Sequence, residues 1–276
     1  MNLLFSIDDR FTRQLETVLL SISLNTQATK IDVYVLQKRK LEKGAEIDHL
    51  CQLLGMTYHP VLVDEGLFVN APVTDRYPTT IYYRLLAHQL LPANVHKILY
   101  LDADTLCINN LDQFYRLDLT NYLYASAIHT GLTNTTEVIN KIRLQNFDAD
   151  GYYNSGVLLM NLDNIRHRVR ATDIFDYIRK HILLLPDQDV LNALYGKYIK
   201  SVPDEKYNYD TRNGRTYEII SFGEWDLNWV IENTVILHYC GREKPWLKST
   251  RHGRFTALYK HYDHLTQRII KGQIAL

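Results

Sequence analysis

The chain has 276 residues, long enough for one large domain with a substantial core, and its 46% hydrophobic and 22% charged content is that of an ordinary globular protein. Thirty-one basic side chains balance 31 acidic ones, so overall charge gives no argument for nucleic acid or an anionic membrane as partner. Cys51, Cys107 and Cys240 are scattered and odd in number, which argues against a disulfide framework and for a reducing compartment.

The N-terminus reaches Asp8 and Asp9 too soon for the apolar core of a signal peptide. No run of about 18 apolar residues occurs anywhere, so no spanning helix is expected. These features place the protein in the cytoplasm as an expectation. Residues 2–7 read as a strand ending at Asp8-Asp9. Residues 10–25 carry Phe11, Leu15, Val18, Leu19 and Ile22 at helical spacing. Residues 31–36 read as a strand, 41–54 as an amphipathic helix closed by Gly55, and 58–63 as a third strand. A polar stretch with Pro72 and Pro78 leads to a helix over 81–91 that stops at Pro92. A fourth strand, 97–101, runs straight into Asp102.

Such alternation predicts an α/β fold with a mostly parallel central sheet between helices. Ligands in these sheets bind beyond the carboxyl ends of the strands. The pattern then becomes mixed, with strands expected at 122–129, 153–161 and 234–239 and helices at 136–145, 172–184, 187–195 and 254–270. There is no internal repeat or low-complexity segment, so residues 1–247 read as one domain and 248–276 as a C-terminal basic helical tail.

Five short segments could carry chemistry. Ile98–Asp104 ends a buried strand in Asp102-Ala103-Asp104; in extended backbone residues i and i+2 point the same way, so two hard oxygen ligands converge, as Mg²⁺ or Mn²⁺ requires. Read blandly, the two acids are solvated and cap the next turn. A strand delivers His238, then Gly241 permits close approach and Lys244 suits a phosphate; a core histidine before an ordinary turn is the plain alternative. Asn154 and Ser155 lead into a strand, where an amide could bind sugar hydroxyls or simply enter the turn. Asp187 reads as a helix cap with Gln188 and Asp189 in the first turn, an arrangement that is structurally sufficient yet faces a cleft. Thr80 reads as the cap of a helix holding Arg84, for which surface pairing is the default.

Together and in this order, FSIDDRF, TTIYYRL, ILYLDADTL, YYNSGVLLMNL, PDQDVLN and HYCGREKPW resemble glycosyltransferase family 8, from about residue 2 to about residue 247. This group holds bacterial lipopolysaccharide galactosyl- and glucosyltransferases, with glycogenin as a distant relative. The resemblance implies a Rossmann-like GT-A fold, a UDP-sugar donor, a divalent ion (usually Mn²⁺, with Mg²⁺ as the alternative) and retention of anomeric configuration. It assigns Asp102, Asp104 and His238 to the metal and Asp8 to uracil. Ser6 falls on the same nucleotide side, and Ala103 lies near the ribose. Arg84, Asn154, Asp187, Gln188 and Asp189 fall on the donor-sugar and catalytic face. Gly241 and Lys244 belong to a loop over the diphosphate. The family often has Asn two residues after the uracil-binding Asp, where this chain has Arg10. Residues 66–77, where acceptor contacts would be expected, match nothing in the family pattern.

The expected reaction is hexose transfer, glucose or galactose, from a UDP-sugar to a glycan or lipid-linked acceptor. Attack from the leaving-group face is favoured because Gln188, an amide, is a poor nucleophile; Gln188 would then support the cationic sugar electrostatically. Two rivals stand beside this reading. Asp102-Ala103-Asp104-Thr105 matches the DxDxT of a haloacid-dehalogenase-type phosphatase, although that motif normally opens its fold. A nucleotide-sugar-binding protein without catalysis is the other. Lys248, Arg251, His252, Arg254, Lys260 and His261, interleaved with aromatics, could lie on an anionic membrane surface, though such a run is usually a solvated helix face.

Overall fold

The computed structural model describes residues 1–68, 71–74, 78–128, 151–248 and 253–275. Four parallel strands come first: β1 (Asn2–Ser6), β2 (Ile31–Gln37), β3 (Met56–Leu62) and β4 (Lys97–Leu101). β5 (Thr105–Cys107) follows at once; β6 (Tyr124–Ala127), β7 (Val157–Asn161) and β8 (Ile199–Val202) come later. A seven-stranded sheet has the order β3-β2-β1-β4-β7-β6-β8. β7 runs antiparallel to both neighbours, and every other pairing in this sheet is parallel. A second, three-stranded sheet joins β5 to β10 (Ile236–His238) and to β9 (Tyr209–Asp210).

Strand alternation divides the large sheet's side chains between two cores. Leu3, Phe5, Val33, Val35, Leu99 and Leu101 pack beneath Leu15, Val18, Leu19 and Ile22 of the helix Thr12–Asn25. Leu4, Leu36, Ile98 and Tyr100 face the other way, with Tyr82, Tyr83, Ile174 and Leu191. Near-continuous burial of β1, β2 and β4 is what a sheet covered on both faces requires. The small sheet has its own core, where Leu106, Tyr209 and Leu237 meet Phe255 and Tyr259.

Most expected elements are present, and the differences have physical causes. Residues 81–91 open as a 3-10 helix, Thr79–Leu86, before one α-helical stretch at Ala87–Leu90. Ile81, Tyr82 and Tyr83 are branched or aromatic, types that lose side-chain freedom in an α-helix. Thr80 is not its cap; Pro78 holds that position and no side chain caps it. The strand expected from 153 begins only at Val157, because Asn154-Ser155-Gly156 turns toward the site described below. The helix expected at 136–145 lies outside the described residues, as do His129, Arg251, His252 and part of 66–77.

The terminal helix Thr256–Ile270 turns Tyr259, Thr266 and Ile269 inward. It crosses Thr12–Asn25, where Arg13 pairs with Asp263 at 2.6 Å and Asn25 donates to the Tyr262 hydroxyl at 3.0 Å. Among the described residues no helix is long and apolar enough to cross a membrane.

Glu16 is sealed in this seam with Oε1 unpartnered among the described residues, and Gln267 donates to its other oxygen at 3.3 Å. Burial, with Glu46 nearby, pushes its carboxyl up to about 7 from an ordinary 4.5. A raised carboxyl stabilises the fold fully below its unfolded value and loses that contribution as pH rises through about 7. Stability should therefore fall by roughly 3 kcal/mol between pH 4.5 and pH 8 through this group. Denaturant titrations at both pH values should show Glu16→Gln flattening that dependence; an unchanged slope would assign it elsewhere.

Candidate active site

β4 sits at the centre of the large sheet and ends at Leu101. Asp102 N–H donates to Gly156 O at 2.8 Å, and Thr105 N–H and Oγ1 both return to Asp102 O at 3.2 and 2.8 Å. Asp102-Ala103-Asp104 is therefore a tight turn, not extended strand. The carboxylates converge because the turn carries the chain from one sheet to the other, which corrects the expectation from strand alternation. β5 leaves the turn antiparallel to β10, with Thr105 opposite His238, and Tyr239 N–H donates to Asp104 O at 2.9 Å. This pairing sets a distant histidine beside the acids.

One ligand atom from each of Asp102, Asp104 and His238 falls within 4.8 Å of the others. His238 Nε2 lies 3.2 Å from Asp104 Oδ1 and 3.9 Å from Asp102 Oδ2. Its Nδ1 meets Asn208 Oδ1 at 2.8 Å, so the Nδ1 proton is committed and Nε2 faces the acids. Burial opposes charge on the imidazole, yet Cys240 and Asp104 outweigh it and hold the ring protonated well above its usual range. Burial likewise raises Asp104, but His238 and Lys244 prevail and drive it far below the carboxylate norm. The Lys244 ammonium rests on Asp104 and donates to Tyr239 O at 2.7 Å. Two carboxylates and a ring nitrogen form a set that fits a divalent cation of the Mn²⁺ or Mg²⁺ type, once the ion displaces the Nε2 proton and the Lys244 ammonium that now balance the acids.

Arg84 is buried against the other acid. It reaches Asp102 at 2.9 Å, Asp187 at 3.3 Å and Ser155 O at 2.8 Å, and stacks 4.2 Å over the Tyr100 ring. Burial disfavours its charge, but Asp102, Tyr100 and Asp187 more than restore it. Tyr100 also donates to Asp102 at 2.7 Å. Arg84 is thus no surface arginine; it fixes two carboxylates in one orientation. Asp187 is raised by burial, with Arg84 and Ser155 only partly opposing.

The cleft brings together Ser6, Asp8, Ala103, Asn154, Gly241 and Lys244, and Asp187 and Gln188 also line it. Ser6 Oγ donates to Thr80 O at 2.6 Å. Asp8 caps the short helix Asp9–Phe11 by accepting from Arg10 N–H, and its carboxylate also pairs with the Arg10 guanidinium at 2.7 Å. Asn154 Oδ1 accepts from Gly156 N–H at 2.8 Å, shaping the turn beneath the acids. Gln188 Oε1 accepts weakly from Ser155 N–H at 3.4 Å, while its buried Nε2 has no partner among the described residues.

Two expectations change here. The helix Pro186–Tyr195 is capped by Leu185, not Asp187, with proline in its first turn. Asp189, fully buried, does not line the cleft: it accepts from Leu184 N–H at 2.7 Å, Leu185 N–H at 3.1 Å and the Tyr152 hydroxyl at 2.5 Å. It closes the helix start and so steadies Asp187 and Gln188.

Sequence reasoning missed Gly156, Asn208 and Arg212. A Cβ on Gly156 would lie 2.5 Å from both Asp102 Oδ2 and His238 Cε1. Only the glycine in NSG hinted at this. Gly156→Ala should cost about 1–3 kcal/mol and force Asp102 away from His238. Denaturant unfolding and a crystal structure of the variant test this; wild-type stability with an unchanged Asp102–His238 separation would contradict the tight fit.

The comparisons with known proteins agree with this architecture. The family model for glycosyl transferase family 8 matches residues 2–250. General stress protein A of Bacillus subtilis (strain 168) is 24% identical over 97% of this chain and 94% of its own. A lipopolysaccharide 1,2-glucosyltransferase of Escherichia coli is 28% identical over 89% of this chain and 73% of its own. The crystal structure of the galactosyltransferase LgtC with donor and acceptor sugar analogs superposes with a TM-score of 0.79 at 22% identity, covering 96% of each chain. The mostly parallel sheet with its appended small sheet is the GT-A fold of such enzymes, and the chain belongs to glycosyl transferase family 8.

Proposed function

We propose that this glycosyltransferase moves a hexose from a UDP-sugar to a glycan acceptor, with retention, using Mn²⁺ held by Asp102, Asp104 and His238. The observation that carries this reading is the convergence of those three side chains, with His238 Nε2 facing two acids in one cleft. Relatives named as lipopolysaccharide glucosyl- and galactosyltransferases support a hexose and a cell-surface glycan acceptor. The phosphatase reading lapses with the family, and Gln188 Nε2, without a partner among the described residues, stands in the cleft ready for a sugar oxygen, which favours a working sugar site over a merely binding one.

Asp102, Asp104 and His238 would hold the ion, and the chemistry it would supply is positive charge for the diphosphate leaving group. Asp8 and Ser6 serve the nucleoside side and the backbone at Ala103 the ribose. Lys244 exchanges Asp104 for phosphate, and the Gly241 turn covers it. The C1–O bond to phosphate breaks first, leaving oxocarbenium character on the sugar. The acceptor oxygen then bonds C1 from the same face, and its proton passes to the leaving phosphate oxygen. Gln188 offers its free NH₂ to a sugar oxygen, while Asp187 and Asn154, steadied by Arg84, orient the ring. The terminal helix turns Tyr259, Thr266 and Ile269 onto the protein, and membrane contact is not part of the reading.

Asp104→Asn tests the metal role. Transfer from UDP-glucose or UDP-galactose should fall by at least ~100-fold, and Mn²⁺ should no longer add to the thermal shift given by UDP. Near-normal turnover, with the Mn²⁺ increment intact, would remove the role assigned to Asp104.

A further inference from the structure

We propose that Arg212 is a second phosphate-binding side chain of the donor site, acting from beneath the Gly241 turn; this rests on the nucleotide-sugar reading above. Arg212 lies two residues past Asp210, which pairs with His238 in the small sheet. Thr211 N–H donates to His238 O at 3.1 Å, so the segment is fastened to the strand that carries the histidine. Asp210, with a side chain only 2% exposed, grips the guanidinium from one side: Nε at 2.9 Å and Nη2 at 2.6 Å. It also accepts from Arg212 N–H at 3.0 Å and from Asn213 Nδ2 at 3.3 Å. The head is fixed and half exposed, and it lines the cleft.

Nη1 is left over. It makes no hydrogen bond among the described residues, and it points to the Gly241 turn, where an added Cβ would stand 2.8 Å away. Gly241 is at φ +86, so a side chain there would be strained and would also displace the guanidinium. Among the described residues, the other arginine and the lysine that line the cleft are committed to the acids of the site: Arg84 to Asp102 and Asp187, Lys244 to Asp104. Arg212 has its counter-ion outside that group, so it can take a new anion without unpairing a catalytic-face carboxylate. A guanidinium anchored by one edge with another edge free is a good receptor for phosphate oxygens. If the Asp210–Arg212 pair only braces the loop, removing the arginine will act on every ligand alike.

Calorimetric titration of wild type, Arg212→Gln and Arg212→Lys with UDP, UMP and uridine, each with Mn²⁺, separates these outcomes. We expect Arg212→Gln to weaken UDP by roughly 10–100-fold, UMP by less, and uridine by under about twofold. Arg212→Lys, which keeps charge but not the fork, should fall between wild type and Arg212→Gln for UDP and keep the wild-type melting temperature. UDP affinity unchanged in both variants, or equal weakening of UDP and uridine, would overturn the role of Arg212. Failure of wild type to bind UDP at all would instead overturn the nucleotide-sugar reading on which it rests.

Discussion

Everything in the site depends on one turn. At Asp102-Ala103-Asp104 the chain leaves the centre of the seven-stranded sheet and enters the edge of a three-stranded one. That passage fixes the two carboxylates by backbone hydrogen bonds and sets Thr105 against His238. Gly156 makes room beneath, and its carbonyl holds the turn from the β7 side. Acids and histidine brought together by strand pairing and a buried turn are preorganised.

Charge in the cleft is balanced without substrate. Arg84 joins Asp102 to Asp187, Lys244 covers Asp104, and Asp210 holds Arg212. Burying these carboxylates alone would be very costly; paired and hydrogen-bonded, they are retained. The same pairing suits exchange. On the proposed reading, a divalent ion at the acids would free Lys244, and the diphosphate would replace the charge that lysine lost while Arg212 keeps Asp210. Binding would then amount to a change of partners at nearly constant local charge, which avoids leaving a buried ion unpaired.

Much of this was legible in the sequence, because strand-helix alternation and apolar runs report burial directly. β4 and its junction with Asp102 follow from KILYLDAD alone. The family motifs lead to twelve cleft-lining side chains or glycines and to Asp189, which the fold turns away. The motifs mark that position without saying which way its carboxylate points; proline at 186 and the cap at Leu185 decide it. The small sheet was almost illegible: β9 has two residues, Tyr209–Asp210, too few to show any period. Asn208 and Arg212 beside it therefore escaped notice, although one orients the histidine and the other lines the cleft. Gly156 was visible as a letter, but its role depends on a contact between segments far apart in the chain.

The central claim is that one imidazole nitrogen and two carboxylates from separate sheets share a single cation. Electron spin-echo spectroscopy of the Mn²⁺–UDP complex tests it most directly, because nitrogen bound to manganese modulates the echo. The account predicts modulation from one directly bound nitrogen in wild type and its loss in His238→Gln. Bound Mn²⁺ without nitrogen coupling in wild type, or coupling that survives His238→Gln, would contradict it.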